Sequence, residues 1–345
     1  MEKLVIKSGI KVWLFIGLVM IFFQIVIGGI TRLTGSGLSI TKWEIVTGSI
    51  PPLTESKWQS EFDLYKRTPQ YQKINTGMSI GAFKWIYFWE YLHRLWARSM
   101  GFVFLIPFFY FLYKGWISVR LRRQLITVVL LAGVVGVFGW IMVSSGLVNR
   151  PWVNAYKLSM HLGLALITLS YLWWVYLDYT NSSKSLHFPG SVTAAKWFLI
   201  LVAIQILMGG MMSGMKAALI YPTFPKMGSN WIDPIIFQTD SWQWKHFVDY
   251  DNFPFLPALV QLFHRITAFV ILGYFMVIIS RVKWRGIYLL IGLTLLLQIT
   301  LGICTLILSK GKIPVGFGVF HQMVGILLLI WSIKWLFYEK ISVKI

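Results

Sequence analysis

The sequence predicts an all-α integral membrane protein, with eight transmembrane helices arranged as two pseudo-symmetric four-helix bundles. Three observations carry that expectation. The 345-residue chain is 57% hydrophobic and only 13% charged, with mean hydropathy +0.68, where a soluble domain is about a quarter charged. Long charge-poor runs recur, each near the roughly 20 residues needed to cross hydrocarbon. Short motifs of the first half return in the same order in the second. A soluble globular domain, a disordered chain and a coiled coil are excluded.

The spans come in order. Charge-free runs cover Val12–Thr31, Gln124–Asn149, Leu158–Leu177, Trp197–Met215, Gly286–Ser309 and Ile313–Ile333. Two further runs carry ionisable residues near their start: Trp85–Tyr113, with Glu90, His93, Arg94 and Arg98, and Pro257–Ser280, with His264 and Arg265. The net charge of +20 would suggest nucleic-acid binding in a soluble protein. Here Lys3, Lys7 and Lys11, then Lys114, Arg120, Arg122 and Arg123, then Arg281, Lys283 and Arg285, and finally Lys340 and Lys344 all fall on one side of alternating spans. Positive charge collects on short cytoplasmic loops, so both termini are expected in the cytoplasm and no nucleic-acid partner is needed. The first run is too long for a signal-peptide core and lacks a small-x-small cleavage site. The single cysteine, Cys304, rules out an intrachain disulfide and a thiolate metal cluster.

The halves are expected at 1–184 and 185–345. Span 1 contains Gln24-Ile25-Val26-Ile27-Gly28-Gly29 and span 5 contains Gln205-Ile206-Leu207-Met208-Gly209-Gly210. Each precedes a long outer loop, 32–84 or 216–256. Glu90-Tyr91-Leu92-His93-Arg94 then matches Gln261-Leu262-Phe263-His264-Arg265, and His161 and His321 open spans 4 and 8. Four spans per half make the repeats parallel, related by an axis along the membrane normal.

Of six histidines, His187 and His246 fall in loops and are expected to be ordinary surface residues. The other four lie inside spans, where an ionisable side chain marks a functional site. His93 follows Lys84 by nine residues; His161, His264 and His321 follow Asn154, Pro257 and Pro314 by seven. At helical rise this sets all four about 10–13 Å below the outer surface. Paired imidazoles at one depth suit the two axial positions of a haem, with Arg94 and Arg265 as candidate propionate contacts. A copper or zinc centre would want a third ligand repeated in both halves, and none is.

The halves differ at one chemically important position. Glu90 stands three residues before His93, on the same helix face, where the second half has Gln261. Burial would raise its pKa from about 4.3 towards neutrality and suit it to proton transfer; an i,i+4 ion pair with Arg94 is the other reading. Gly35-Ser36-Gly37-Leu38-Ser39-Ile40 is expected to be flexible and Ile50-Pro51-Pro52-Leu53 a rigid turn. Trp43, Trp58, Phe62, Tyr65 and Tyr71 form either an interfacial belt or a lid over the first site.

Taken together, these residues resemble the haem A synthase family, of the longer type found in mitochondria and many Gram-negative bacteria. The resemblance runs through Gly28 to Ser39, Pro51-Pro52-Leu53 with Trp58 and Tyr65, Phe83-Lys84, Glu90 to Arg94 with Arg98, and Ser145-Gly146-Leu147. It continues through Tyr156-Lys157-Leu158 with His161-Leu162-Gly163, Tyr221-Pro222-Thr223-Phe224-Pro225, His264-Arg265 and His321-Gln322. It implies an oxidoreductase of cytochrome oxidase assembly that oxidises a ring methyl of haem O, in two hydroxylation steps, to the formyl group of haem A for terminal oxidases. It further implies that His93 and His161 hold the substrate haem, that His264 and His321 ligate the iron of a resident haem b, and that Glu90 is catalytic. Arg98 joins Arg94 and Arg265 as a candidate propionate contact. The chain lacks the loop cysteine pairs that one branch of the family carries, and it departs from the family pattern in Ala97 where glycine is usual and in Lys157 where arginine is common. Expected partners are haem O, membrane lipid, an electron donor and acceptor that the residues do not identify, and, on pathway logic alone, the farnesyltransferase that makes haem O. The expected location is the bacterial cytoplasmic membrane, with haem sites towards the outer face. Two other readings compete: a dihaem b-type cytochrome passing electrons from quinol to a partner, and a transporter with parallel repeats, which leaves the histidines unexplained.

Overall fold

A computed structural model describes residues 7–42, 50–148, 150–181, 191–282 and 286–342. Lys3, Trp43, Asn149, His187, Lys283, Arg285 and Lys344, named above, lie outside the described residues. The elements are helical. Long helices α1 (Ser8–Leu33), α4 (Ile80–Tyr113), α5 (Val119–Ser144) and α6 (Ala155–Thr180) alternate with short α2 (Glu55–Lys66) and α3 (Pro69–Lys73) in the first half. The second half contains α7 (Val192–Gly214), short α8 (Trp244–Val248), α9 (Phe255–Ile279), α10 (Ile287–Ile307) and α11 (Val315–Ser342), with 3₁₀ turns in its outer segment. Among the described residues, eight helices are long and apolar enough to cross a membrane. Phe102, Ile106 and Phe109, at i, i+4 and i+7 of α4, are 68%, 65% and 61% exposed, a stripe suited to hydrocarbon and not to water.

Caps set the helix starts. The side chains of Ser79, Ser118, Asn154 and Ser191 each accept from a backbone N–H in the first turn of α4, α5, α6 and α7, satisfying a donor the helix leaves orphaned. Several ends differ from the hydropathy reading, among them both ends of α5 (Val119–Ser144 against Gln124–Asn149) and the start of α7 (Val192 against Trp197); for two others the packing gives the reason. Helix α4 begins at Ile80 rather than Trp85, because its first turns pack Phe83, Ile86 and Tyr87 against Phe62 and Tyr65 of the outer segment. Helix α11 runs on to Ser342, because Glu339 is buried and accepts from Tyr288 Oη at 3.2 Å and Trp335 Nε1 at 2.9 Å. The charge-free run stops before Lys334; the two donors to Glu339 hold the turns beyond it, Tyr288 from the neighbouring helix α10 and Trp335 from within α11.

The chain divides into two compact units, Met1–Ser182 and Ser183–Ile345. In the first, α1 packs against both α4 and α6, and α5 against α6. In the second, α7 packs against both α9 and α11, and α10 against α11. Each unit thus uses its first long helix as a spacer on which both histidine-bearing helices rest.

The outer segment of the first unit is packed, which corrects the expectation of a flexible glycine–serine stretch. Ser36, Leu38 and Ser39 are at most 1% exposed. Ser36 N–H donates to the Thr31 carbonyl and Ser39 N–H to the Ser36 carbonyl, so the chain folds back onto the end of α1. Glycine at 35 supplies a positive φ of 69°, which other residues adopt at a cost. Trp58, Phe62, Tyr65 and Tyr71 gather on Phe83 and Tyr87, with Ile40 and Tyr91 against the same cluster. A polar chain runs beneath them: Asn75 Nδ2 donates to Tyr65 Oη (2.7 Å), which donates to Gln70 Oε1 (3.0 Å), whose Nε2 donates to the Gly35 carbonyl (2.9 Å).

Candidate functional site

The four intramembrane histidines sit on α4 (His93), α6 (His161), α9 (His264) and α11 (His321), all partly buried. In the second unit the His264 and His321 ring centroids are 6.4 Å apart, with the planes at 72°. Two metal–imidazole bonds of about 2 Å each, plus the two ring radii, span roughly that distance. The separation fits one metal between the rings. In the first unit His161 lies within electrostatic reach of His93.

Each ring has a neighbour on the adjacent helix. His321 Nδ1 is 3.1 Å from the Gln298 carbonyl. A carbonyl can only accept, so Nδ1 carries the proton; Nε2, which here lies 3.4 Å from the Gln298 amide nitrogen, holds the lone pair that could bind a metal. Gln205 Nε2 donates to the His264 carbonyl at 3.0 Å, and Gln24 Nε2 to the His93 carbonyl at 3.2 Å, while also lying 3.2 Å from His93 Nδ1. The amide oxygens of Gln24, Gln205 and Gln298 are buried without a hydrogen-bond partner. Three orphaned acceptors beside imidazoles, a cost of about 1–3 kcal/mol each, are what a site for a bound polar cofactor leaves when its contents are removed. Paired imidazole donors with ring centroids 6.4 Å apart fit haem. Gln298 escaped the sequence reading, although Gln298-Ile299-Thr300-Leu301-Gly302 repeats the Gln-Ile-x-x-Gly of spans 1 and 5 and could have revealed it.

Glu90 is 3% exposed and fully engaged. Its Oε2 accepts from Ser39 N–H (2.7 Å), Ser39 Oγ (2.7 Å) and Ile40 N–H (3.0 Å), and its Oε1 from Arg94 Nη2 (2.6 Å). The i,i+4 ion pair of the second reading is present, and the loop adds three donors to it. Gln261, buried at the matching position, does the reverse: its Nε2 donates to the Ala217 and Tyr221 carbonyls, and its Oε1 accepts from Arg265. The Glu/Gln difference therefore tracks what the outer loop presents, N–H groups in one half and carbonyls in the other.

Arg94 donates to the Ile40 and Lys42 carbonyls, and Arg265 to those of Tyr221, Thr223, Pro225 and Lys226. Both guanidinium groups clamp the loop to the histidine helix, with folded loop carbonyls around them. Arg98 lies on the same helix, one turn beyond Arg94. His246 is not the surface residue expected. It is 9% exposed, its ring lies 4.1 Å from that of Phe253, and its Nδ1–H donates to the Ser241 carbonyl at 2.8 Å. Its role is to pack the outer segment, away from the four-histidine set.

With this geometry in place, comparison with known proteins is decisive at the family level. The model of the COX15-CtaA family, described as cytochrome oxidase assembly protein, matches residues 11–333. The chain belongs to this family. It is 38% identical to the haem A synthase of Nitrosospira multiformis over 98% of this chain and 95% of the relative. It is 37% identical to that of Flavobacterium psychrophilum over 94% and 96%, and 42% identical to that of Parvibaculum lavamentivorans over 75% and 74%. The family read from the motifs is the family found. The matched range spans the positions of all four histidines, Glu90, Arg94 and Arg265.

Proposed function

We propose that this chain is a haem A synthase, an enzyme that oxidises a ring methyl of haem O to the formyl group of haem A for terminal oxidases. The observation that carries the reading is an imidazole pair spaced for one metal in a chain whose full-length relatives bear that name. His264 and His321 would hold a resident haem b, which supplies one-electron redox chemistry when bound. His93 and His161 would hold the substrate, haem O. The proteins of this reading sit in the bacterial cytoplasmic membrane with both termini inside, as the loop charges favour.

Glu90 would contribute fixed negative charge beside the substrate, stabilising positive charge as electrons leave the methyl carbon. Three donors on one oxygen and a guanidinium on the other suit a charge held in place more than a base that swings. Ser39, Ile40 and Arg94 position it. Loop polarity accounts for Glu90 against Gln261, so that asymmetry no longer argues by itself against a dihaem electron carrier; the relatives do.

Extraction of haems from the purified protein, followed by chromatography, tests the reading. Haem b together with haem O or haem A is the expected result. Two equivalents of haem b alone would overturn it in favour of the electron carrier.

A further inference from the structure

The structure assigns Gly28, Gly139 and Gly302 as positioning residues, each a bare patch of helix backbone on which one imidazole rests; Gly209 holds the matching place at an ordinary contact distance. The assignment deepens the haem reading and rests on it. A Cβ at Gly28 would stand 3.0 Å from His93 Cε1, at Gly139 3.0 Å from His161 Cε1, at Gly209 3.4 Å from His264 Cε1 and at Gly302 2.8 Å from His321 Cε1. The same ring atom meets a glycine in all four helix pairs, α1 with α4, α5 with α6, α7 with α9 and α10 with α11. Neither hydropathy nor helix propensity requires this, since alanine forms helix better than glycine. Elsewhere on the long helices, Gly133 and Gly136 of α5 and Gly273 of α9 have nothing within 4 Å of a Cβ.

The contact has a chemical purpose. The residue one turn before each glycine is Gln24, Val135, Gln205 or Gln298. In a helix the carbonyl of residue i bonds the N–H of residue i+4, which is here the glycine. A second lone pair on that carbonyl is open to a neighbour, provided no side chain at i+4 blocks the approach. His321 uses this route, donating Nδ1–H to the Gln298 carbonyl. The missing Cβ thus lets the ring lie against the backbone, where a carbonyl holds the proton on Nδ1 and leaves Nε2 as the nitrogen able to bind a metal. A long, flexible side chain crowded by an alanine would move aside. An imidazole bound to iron would have less freedom to do so, since its nitrogen would be tied to the metal.

The distances make the inference graded. Full-length protein carrying Gly302→Ala, Gly209→Ala, Gly28→Ala or Gly139→Ala is purified with Gly133→Ala and Gly136→Ala as controls. Haem per polypeptide, the low-spin electron paramagnetic resonance signal and the haem b reduction potential are then measured. Gly302→Ala should weaken haem b binding by roughly 10–100-fold and diminish its low-spin signal, while Gly209→Ala keeps both, its contact being an ordinary one. Gly28→Ala and Gly139→Ala should lose bound haem O or A and keep haem b with its wild-type potential. The controls should match wild type throughout. Wild-type haem b content and signal in Gly302→Ala, or equal loss in Gly209→Ala and Gly302→Ala, would overturn the assignment. If Gly302→Ala fails to accumulate, Gly28→Ala decides: selective loss of haem O or A supports the assignment, and unchanged haems refute it. Wild-type protein free of all haem would refute the haem reading itself, which is a separate failure.

Discussion

Glu90 and Arg94 form a partly desolvated pair, their side chains 3% and 12% exposed. Removing one member of such a pair strands the other, at about 3–5 kcal/mol for a buried case. Glu90→Ala should therefore abolish haem A formation, loosen the 35–42 segment to protease and leave haem b in place; haem chromatography and limited proteolysis check this, and a normal yield of haem A would remove the proposed role. Ser39→Ala takes away one of three donors to Oε2 and should cost about 1 kcal/mol, reducing turnover while haem b content holds. The histidines and Glu90 were legible because ionisable side chains inside apolar runs stand out. The partners of the arginines were not. Arg94 meets carbonyls at Ile40 and Lys42 and Arg265 meets those of Tyr221 to Lys226, and a main-chain acceptor has no signature in the sequence.

Most helix centres were legible to within a turn, those of α5 and α11 being the exceptions, and the ends were not, since ends depend on packing partners. Ser79 and the Phe83–Tyr87 cluster extend α4 outward, and the buried Glu339 prolongs α11. Glu339→Ala would leave Tyr288 Oη and Trp335 Nε1 without their acceptor, costing about 1–3 kcal/mol per donor. Thermal unfolding in detergent should show a clear drop for Glu339→Ala and a smaller one for Glu339→Gln, which keeps an acceptor oxygen. In the outer cap, burial pushes the Tyr65 phenol above its ordinary value, an effect the Asn75 hydrogen bond partly offsets. A raised phenol favours the folded cap at neutral pH and loses that contribution as pH climbs past the ordinary value of about 10. Protease sensitivity of α2 and α3 should accordingly rise in strong alkali, and Tyr65→Phe should abolish that dependence while raising sensitivity at neutral pH.

The two-unit organisation was readable because the same motifs occur twice, and the units share one packing order, with α1 and α7 each carrying a pair of histidine helices. The proposed division of labour predicts that His264→Ala depletes haem b far more than His93→Ala does; equal depletion, measured as haem per polypeptide, would contradict it. What the repeat concealed was that its copies had diverged in hydrogen-bond polarity. The first loop offers amide hydrogens to Glu90, and the second offers oxygens to Gln261. The duplicated halves are consequently not interchangeable parts. Grafting the 217–226 turn onto α4 would set lone pairs against a carboxylate, and the acid could have arisen in one copy only together with a strap of opposite hand in its dipoles.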